Sequence, residues 1–321
     1  MKTWLVRGSV LSLAGVLLSP LAHAEFFGRG ENRFEIPFVE IGSPGNAADT
    51  TGDPNPAGRV DYSYQIGKFE VPQEAIRKAN AQSALDGEPL NLPMRVDLGP
   101  QKPMVGLSWF QIARFVNWLN AEAGSPPAYK FNEAGDFLNW EPGDPGYNPA
   151  NPYRNARTLY ALPTADEWYK AAYYDPAIDA YWDYPTGSDT PPVPVASGVD
   201  PGTAVWDQPT GPADVTLAGG PSPFGTVGQG GNVFEWNETA VGLLNDDAGA
   251  RRIVRGGSSS VSITPENMAS FIRVAGTAAA FPVNAGFRVV RVPEPSTGVL
   301  SASVLCCLWR RVRRRHGAAR S

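Results

Sequence analysis

Gly231-Asn232-Val233-Phe234-Glu235-Trp236 sets one carboxylate between two aromatic side chains, directly after a Gly-Asn pair. Segments of similar aromatic- and glycine-rich character lie on either side of it. Upstream are Tyr64-Gln65-Ile66-Gly67-Lys68-Phe69-Glu70-Val71, then Pro103-Met104-Val105-Gly106-Leu107-Ser108-Trp109 with Phe115-Val116-Asn117-Trp118-Leu119, then Leu162-Pro163-Thr164-Ala165-Asp166-Glu167-Trp168. Downstream are Arg255-Gly256-Gly257-Ser258 and Gly286-Phe287-Arg288-Val289. Any one of these is a weak signal, but their order across residues 58–292 is a strong one. No composition break or repeat divides that span, so it reads as one unit. Trp109, Trp118, Trp168, Phe234 and Trp236 read as core rather than as a stacking platform.

Regular elements are few. From Val60 to Val71, Tyr62, Tyr64 and Ile66 alternate with polar residues, which predicts a strand. Pro72-Gln73-Glu74 opens a short helix with Pro in a tolerated first-turn position, ending near Asp86-Gly87. Ser108-Trp109-Phe110-Gln111 is a capping box ahead of the apolar stripe Ile112, Phe115, Val116 and Leu119, and Gly124 stops that helix. Thr164-Ala165-Asp166-Glu167 is a second capping box leading Trp168, Ala171 and Ala172 into a core. That spacing explains Glu167 without a catalytic role. Arg252–Arg255 and Gly286–Val292 read as late strands. Residues 141–152 and 185–223, dense in Pro and Gly, read as long irregular loops, and residues 25–57 as an N-terminal extension. The expected class is α+β, loop-rich, with few short helices and strands.

The ordered segments resemble the formylglycine-generating enzyme family, also called sulfatase-modifying factors, whose signature Gly-Asn-Val-Trp-Glu-Trp is close to residues 231–236. The resemblance implies a C-type-lectin-like fold over residues 58–292. It also implies an oxidase that binds copper through two cysteines shortly after Gly-Gly-Ser. By spacing, Val261 and Glu266 stand in those places, and neither supplies a thiolate, so no copper and no catalytic residue are expected. The family's calcium site implies the carbonyls of Gly231 and Val233 and the carboxylate of Glu235 as ligands. Oxygen donors of this kind suit calcium. Gly228, however, stands where the family commonly has Asn or Asp.

The residue inventory sharpens the exclusion. The chain has 2 Cys and 2 His. Cys306 and Cys307 lie in a C-terminal apolar run, His23 precedes Glu25, and His316 lies in a basic tail. The body between Glu25 and Thr297 therefore has no thiolate or imidazole, which removes Ser-His-Asp and Cys-His nucleophilic machinery and the common zinc and copper ligand sets. Ser258 to Ser260 is a serine run without a base. Tyr181, Trp182, Asp183 and Tyr184 fall in a loop and are the candidates for stacking on and hydrogen-bonding a sugar. Asn237-Glu238-Thr239 fits a glycosylation sequon, which carries little weight in an exported bacterial protein.

Both ends read as sorting signals. Lys2 and Arg7, an apolar stretch from Val10 to Leu18, and Ala22-His23-Ala24 predict a signal peptide over residues 1–24. Pro293-Glu294-Pro295, a short apolar run and an Arg cluster over residues 293–321 resemble the PEP-CTERM signal. That resemblance implies recognition by an exosortase-type transpeptidase, transient membrane anchoring, and delivery to the cell surface or extracellular matrix. Of the 27 Lys and Arg residues, eight lie in residues 1–24 and 293–321, whereas of the 32 Asp and Glu residues only Glu294 does. The body is thus acidic, which argues against nucleic acid as a partner. The expected function is a binding or structural module for extracellular polysaccharide or a surface protein. The alternative is a non-standard enzyme of the formylglycine-generating oxidoreductase superfamily.

Overall fold

The computed structural model describes residues 23–280 and 282–293. The signal-peptide expectation for residues 1–22 and the sorting-signal expectation for residues 294–321 lie outside these, and Pro293 is the last described residue. Among the described residues no helix is long and apolar enough to cross a membrane.

Three strands open the fold: β1 (His23–Phe27), β2 (Phe34–Ile41) and β3 (Tyr64–Gly67). In β2, Phe34, Ile36 and Phe38 bury one face in the main core, Val39 and Ile41 bury the other face in a second cluster, and Glu35 and Glu40 face solvent, each face following the period of 2 of a strand. Residues 25–57, expected as an extension, therefore contribute β2 to the sheet interior, between β1 and β3. Further on come helix α1 (Gln73–Leu85), helix α2 (Trp109–Glu122), strand β4 (Tyr160–Ala161) and helix α3 (Ala165–Tyr173). They are followed by β5 (Phe234–Ala240), β6 (Arg252–Arg255), β7 (Val274–Gly276), β8 (Ala285–Gly286) and β9 (Val290–Arg291).

Two sheets organise the molecule. One is wholly antiparallel in the order β1-β2-β3-β9-β4, and the other runs β7-β6-β5-β8, with β5 and β8 parallel. Residues 286–292, expected as one strand, are split between them, because Phe287, Arg288 and Val289 carry the chain from one sheet to the other. The expected strand over 60–71 shortens to Tyr64–Gly67 for a related reason. Beyond Gly67 the backbone pairs irregularly with this crossing segment, Val71 N donating to Phe287 O at 2.9 Å.

Both capping boxes form as read. Gln111 N donates to Ser108 Oγ at 3.2 Å and Ser108 N to Gln111 Oε1 at 3.1 Å. The Thr164–Glu167 pair closes in the same reciprocal way, at 3.1 and 2.7 Å. Pro72 sits at the N-cap of α1 rather than inside its first turn, and Asp86 caps the other end. From α2, Trp109, Ile112, Phe115, Val116 and Leu119 are fully buried in the main core with Phe287 and Trp236. Each such side chain contributes roughly 1.5–3 kcal/mol of burial.

Candidate functional site

Local backbone chemistry fixes the segment that leads into β5. Gly231 has φ +81°, and a Cβ there would lie 2.4 Å from Val205 O, so the position takes only glycine. Asn232 has φ +55°, a left-handed conformation in which Asn is enriched. Its Nδ2 donates to both oxygens of Glu70, at 2.9 and 3.1 Å, and its Oδ1 accepts from Ala213 N at 2.8 Å. Glu235, at 0% exposure, points between the sheets. Its Oε2 accepts from Trp168 Nε1 at 2.7 Å and from Arg288 Nε at 2.6 Å, and its Oε1 accepts from Arg288 Nη2 at 2.5 Å. Burial, and then the neighbouring Glu235 charge, push the Glu70 carboxyl well above the usual carboxylate range.

A second buried charge cluster lies behind α3. Arg154 donates to both Glu167 oxygens at 2.9 Å and to Glu238 Oε2 at 2.8 Å. Tyr62 and Tyr129 hydroxyls donate to Glu167 at 2.6 Å and to Glu238 at 2.7 Å respectively. Burial would raise the Glu167 carboxyl, but the Arg154 charge and its hydrogen bonds outweigh that and hold it below the usual range. Glu167 and Glu238 are both fully buried and bridged by one guanidinium, an arrangement that ties elements together and leaves no carboxylate free for acid–base work.

One cleft opens directly on residues 231–236. It holds about 310 Å³ and is lined by Gln208, Ser259, Ser260, Val261, Val283 and Asn284, with Val233 also in its wall. Backbone bonds hang these walls from the Gly-Asn segment and from one another. Ser259 N donates to Asn232 O at 2.8 Å, Gln208 N to Ser259 O at 2.7 Å, and Phe234 N to Asn284 O at 2.9 Å. None of the lining residues is ionisable. Val261 and Val283 are 61% and 66% exposed and form an apolar rim above amide and hydroxyl groups. Gln208, Val283 and Asn284 lie outside every motif, so no local signal in the sequence could have picked them out. A larger groove of about 450 Å³ lies elsewhere, between β2 and α1, and includes Phe26, Arg33, Glu74 and Lys78.

The family model for the sulfatase-modifying factor enzyme 1-like domain matches residues 37–293. The chain belongs to the sulfatase-modifying factor family. The match begins within β2, in keeping with the place of that strand in the sheet. Among solved structures, Treponema denticola variable protein 1 is similar at 19% identity and TM-score 0.58, over 84% of this chain and 99% of its own. CarF is similar at 20% identity and TM-score 0.56, over 81% of this chain and 99% of its own. These likenesses establish the fold, a C-type-lectin-like α+β domain with three helices and many short strands among the described residues. No curated protein matches the chain.

Against this family background the expected site residues separate. Val261 sits on the cleft rim, but Glu266 is exposed in a short 3-10 turn, Pro265–Met268, and is not among the cleft residues. The two positions expected for the family's cysteines thus offer one apolar side chain in the cleft and one carboxylate outside it. The calcium expectation on Gly231, Val233 and Glu235 does not fit the donors present, since both Glu235 oxygens already accept from a buried guanidinium. Among the described residues, no group of three or more Asp, Glu, His or Cys side chains could hold a metal ion.

Of the exposed sugar platform expected at Tyr181–Tyr184, the structure buries Tyr184 and leaves the other three residues half-buried. Tyr184 is 5% exposed and packs with Met268 and Ala269. Tyr181 stacks near Tyr169 and Tyr174, its hydroxyl donates to Gly58 O at 2.8 Å, and Trp182 Nε1 donates to Asp175 at 3.2 Å. Asp183 is half-buried, and its carbonyl accepts from Ser270 N at 2.8 Å. Asn46, Ala47 and Gly58 cover Tyr181, and Met268 and Ala269 cover Tyr184, while Trp182 and Asp183 stay partly exposed. Asn237 of the sequon is 0% exposed, so the folded chain does not present it for glycosylation.

Proposed function

We propose that this sulfatase-modifying factor domain is an exported binding module, and that the cleft beside Val261 is its recognition site. The observation that carries this reading is the lining itself. The cleft keeps the place next to the Gly-Asn-Val-Phe-Glu-Trp segment, yet beside glycine backbone it offers only amides, hydroxyls and the apolar surfaces of valine and proline side chains. Such groups hydrogen-bond neutral polar ligands and cover their apolar faces, and they supply no nucleophile, base or redox ligand. An uncharged stretch of extracellular polysaccharide is the ligand class that fits. The predicted leader and the Pro293-Glu294-Pro295 tail support an outward destination, with an exosortase-type transpeptidase as the sorting partner and the membrane as a transient anchor.

The test is saturable capture of native extracellular polysaccharide by the full chain, compared with Ser260→Trp, which fills the cleft from a partly exposed position. The expected result is capture by the parent and loss in the variant, with the thermal midpoint retained. Capture of a surface protein instead of polysaccharide would move the ligand class. Turnover of a cysteine-containing peptide would replace the binding reading with an enzymatic one.

A further inference from the structure

We infer that a polysaccharide strand held in the cleft leaves it along one outward face of α2 and ends its contact at Trp118. This path depends on the proposed cleft and extends it. Helix α2 turns Ile112, Phe115, Val116 and Leu119 into the main core. Gln111, Arg114, Trp118 and Ala121 follow one another at steps of three and four, so they share a second face of the helix. Two grooves run along that face. One holds about 400 Å³ and lies at the start of the helix, between Gln111, Arg114, Asp136, Phe137 and Ala279. The other holds about 390 Å³ and lies at its end, between Arg29, Glu88, Arg114, Trp118, Ala121 and Glu122. Arg114 lines both, so the grooves adjoin. From Ser108 to Ala121 the helix rises roughly 20 Å.

The cleft meets the first groove at the start of α2. Trp109 N donates to Ala278 O and Gly106 N to Pro282 O, both at 3.0 Å. With those two residues fastened there, Ala279 borders the first groove while Val283 and Asn284 line the cleft. The surfaces therefore form one track. Its chemistry suits a neutral polymer rich in hydroxyls. Both signs of charge line each groove, Arg114 with Asp136 in the first, and Arg29 bridging Asp86 and Glu122 in the second. Guanidinium groups donate to hydroxyls and carboxylates accept from them. Trp118, expected as core, is half-buried and supplies apolar surface for a sugar ring. It packs on Phe34 at 6.0 Å and on Phe115 at 6.1 Å, so the indole is fixed before a ligand arrives. Arg29 lies ahead of the residues that the family model matches, so this end of the track is an addition to the shared domain. Once the cleft tethers the strand, each further contact is intramolecular and adds affinity. The open grooves by themselves hold the strand only weakly.

The experiment uses the full chain and native extracellular polysaccharide cut into sized fragments. Ala279→Arg and Ala121→Arg each place a bulky side chain in one groove from an exposed position. Ala123→Arg, exposed at the C-cap of α2 and outside both grooves, is the control. The parent's affinity is expected to rise at least about tenfold from the shortest captured fragments to the longest. Ala279→Arg is expected to erase that gain, Ala121→Arg to stop it at a shorter fragment length, and Ala123→Arg to keep it. Thermal midpoints should be the same throughout, and the shortest fragments, which fill only the cleft, should bind every one of these proteins alike. A parent whose affinity does not change with fragment length would overturn the inference. So would a gain that both groove variants retain. Failure of the cleft reading is told apart by Val261→Arg, which would then bind the shortest fragments as the parent does and would remove the starting point of the path as well.

Discussion

Trp168 Nε1 donates to Glu235 Oε2 at 2.7 Å, joining two side chains 67 residues apart in sequence. The bond fastens α3 to β5, so the two segments most legible in the sequence also meet in space. Trp168→Phe removes the donor, and at this fully buried position the smaller ring also leaves a cavity. A lost hydrogen bond to a charged acceptor costs about 1.5–3 kcal/mol. Urea unfolding of the variant should show at least that drop in stability without a change in the slope of the transition.

Arg154 bridges Glu167 and Glu238, which are both fully buried. Arg154→Met leaves two carboxylates without their counter-charge, and breaking such a pair costs about 3–5 kcal/mol. The pH dependence follows from the lowered Glu167 carboxyl. In the parent, Glu167 contributes stability that is complete above its unfolded value, near 4.3, and is lost as the pH falls below it. In Arg154→Met the sign should reverse, because protonation relieves the unpaired charges. Thermal midpoints should therefore fall with acid for the parent only below about pH 4, whereas between about pH 8 and pH 4 the variant's should rise with acid more steeply than the parent's.

Glu70 has the opposite character. Its folded carboxyl is raised by burial and by Glu235, so its contribution is present below the unfolded value and is lost as the pH rises through the folded one. Glu70→Gln is accordingly expected to match or exceed the parent's stability at pH 8 and to lose that alkaline decline. Urea midpoints measured against pH would show a flat profile in the variant. A variant that is less stable than the parent at pH 8 and declines as steeply would be incompatible with a raised Glu70.

Gly276 lies against the β5 indole, where a Cβ would come 2.4 Å from a Trp236 ring carbon. Gly276→Ala should cost about 1–3 kcal/mol by overpacking. Gly242→Ala, where nothing lies within 4 Å, is the matched control and should be close to neutral. Paired thermal melts of the two variants check this.

What could be read in the sequence was what chemistry keeps local. The capping boxes at Ser108 and Thr164 are relationships at i, i+3, and both form. Arg252–Arg255 was read as a strand and forms β6, and the segment 231–236 with its neighbours declared the family fold, though not that β5 begins at Phe234. β2 was missed although Phe34, Ile36 and Phe38 alternate with Glu35 and Pro37, because the Gly- and Pro-rich residues after Ile41 coloured the whole stretch. The site was harder, because its determining contacts are distant. Arg288 reaches Glu235 across 53 residues and Gly67 across 221. Nothing near Glu235 in the sequence announces that its oxygens are already spent. Tyr181 and Tyr184 misled for a similar reason, since Tyr181 is covered by residues more than 100 positions upstream and Tyr184 by Met268 and Ala269 downstream.

The most direct measurement is capture of native extracellular polysaccharide by the full chain in excess chelator, set beside Val261→Arg at the cleft rim. Val261 is 61% exposed, so this substitution should leave the fold intact while placing a bulky charge in a neutral cleft. The account predicts saturable capture by the parent without calcium and its loss in Val261→Arg at an unchanged thermal midpoint. Equal capture by both proteins, or none by the parent, would contradict it.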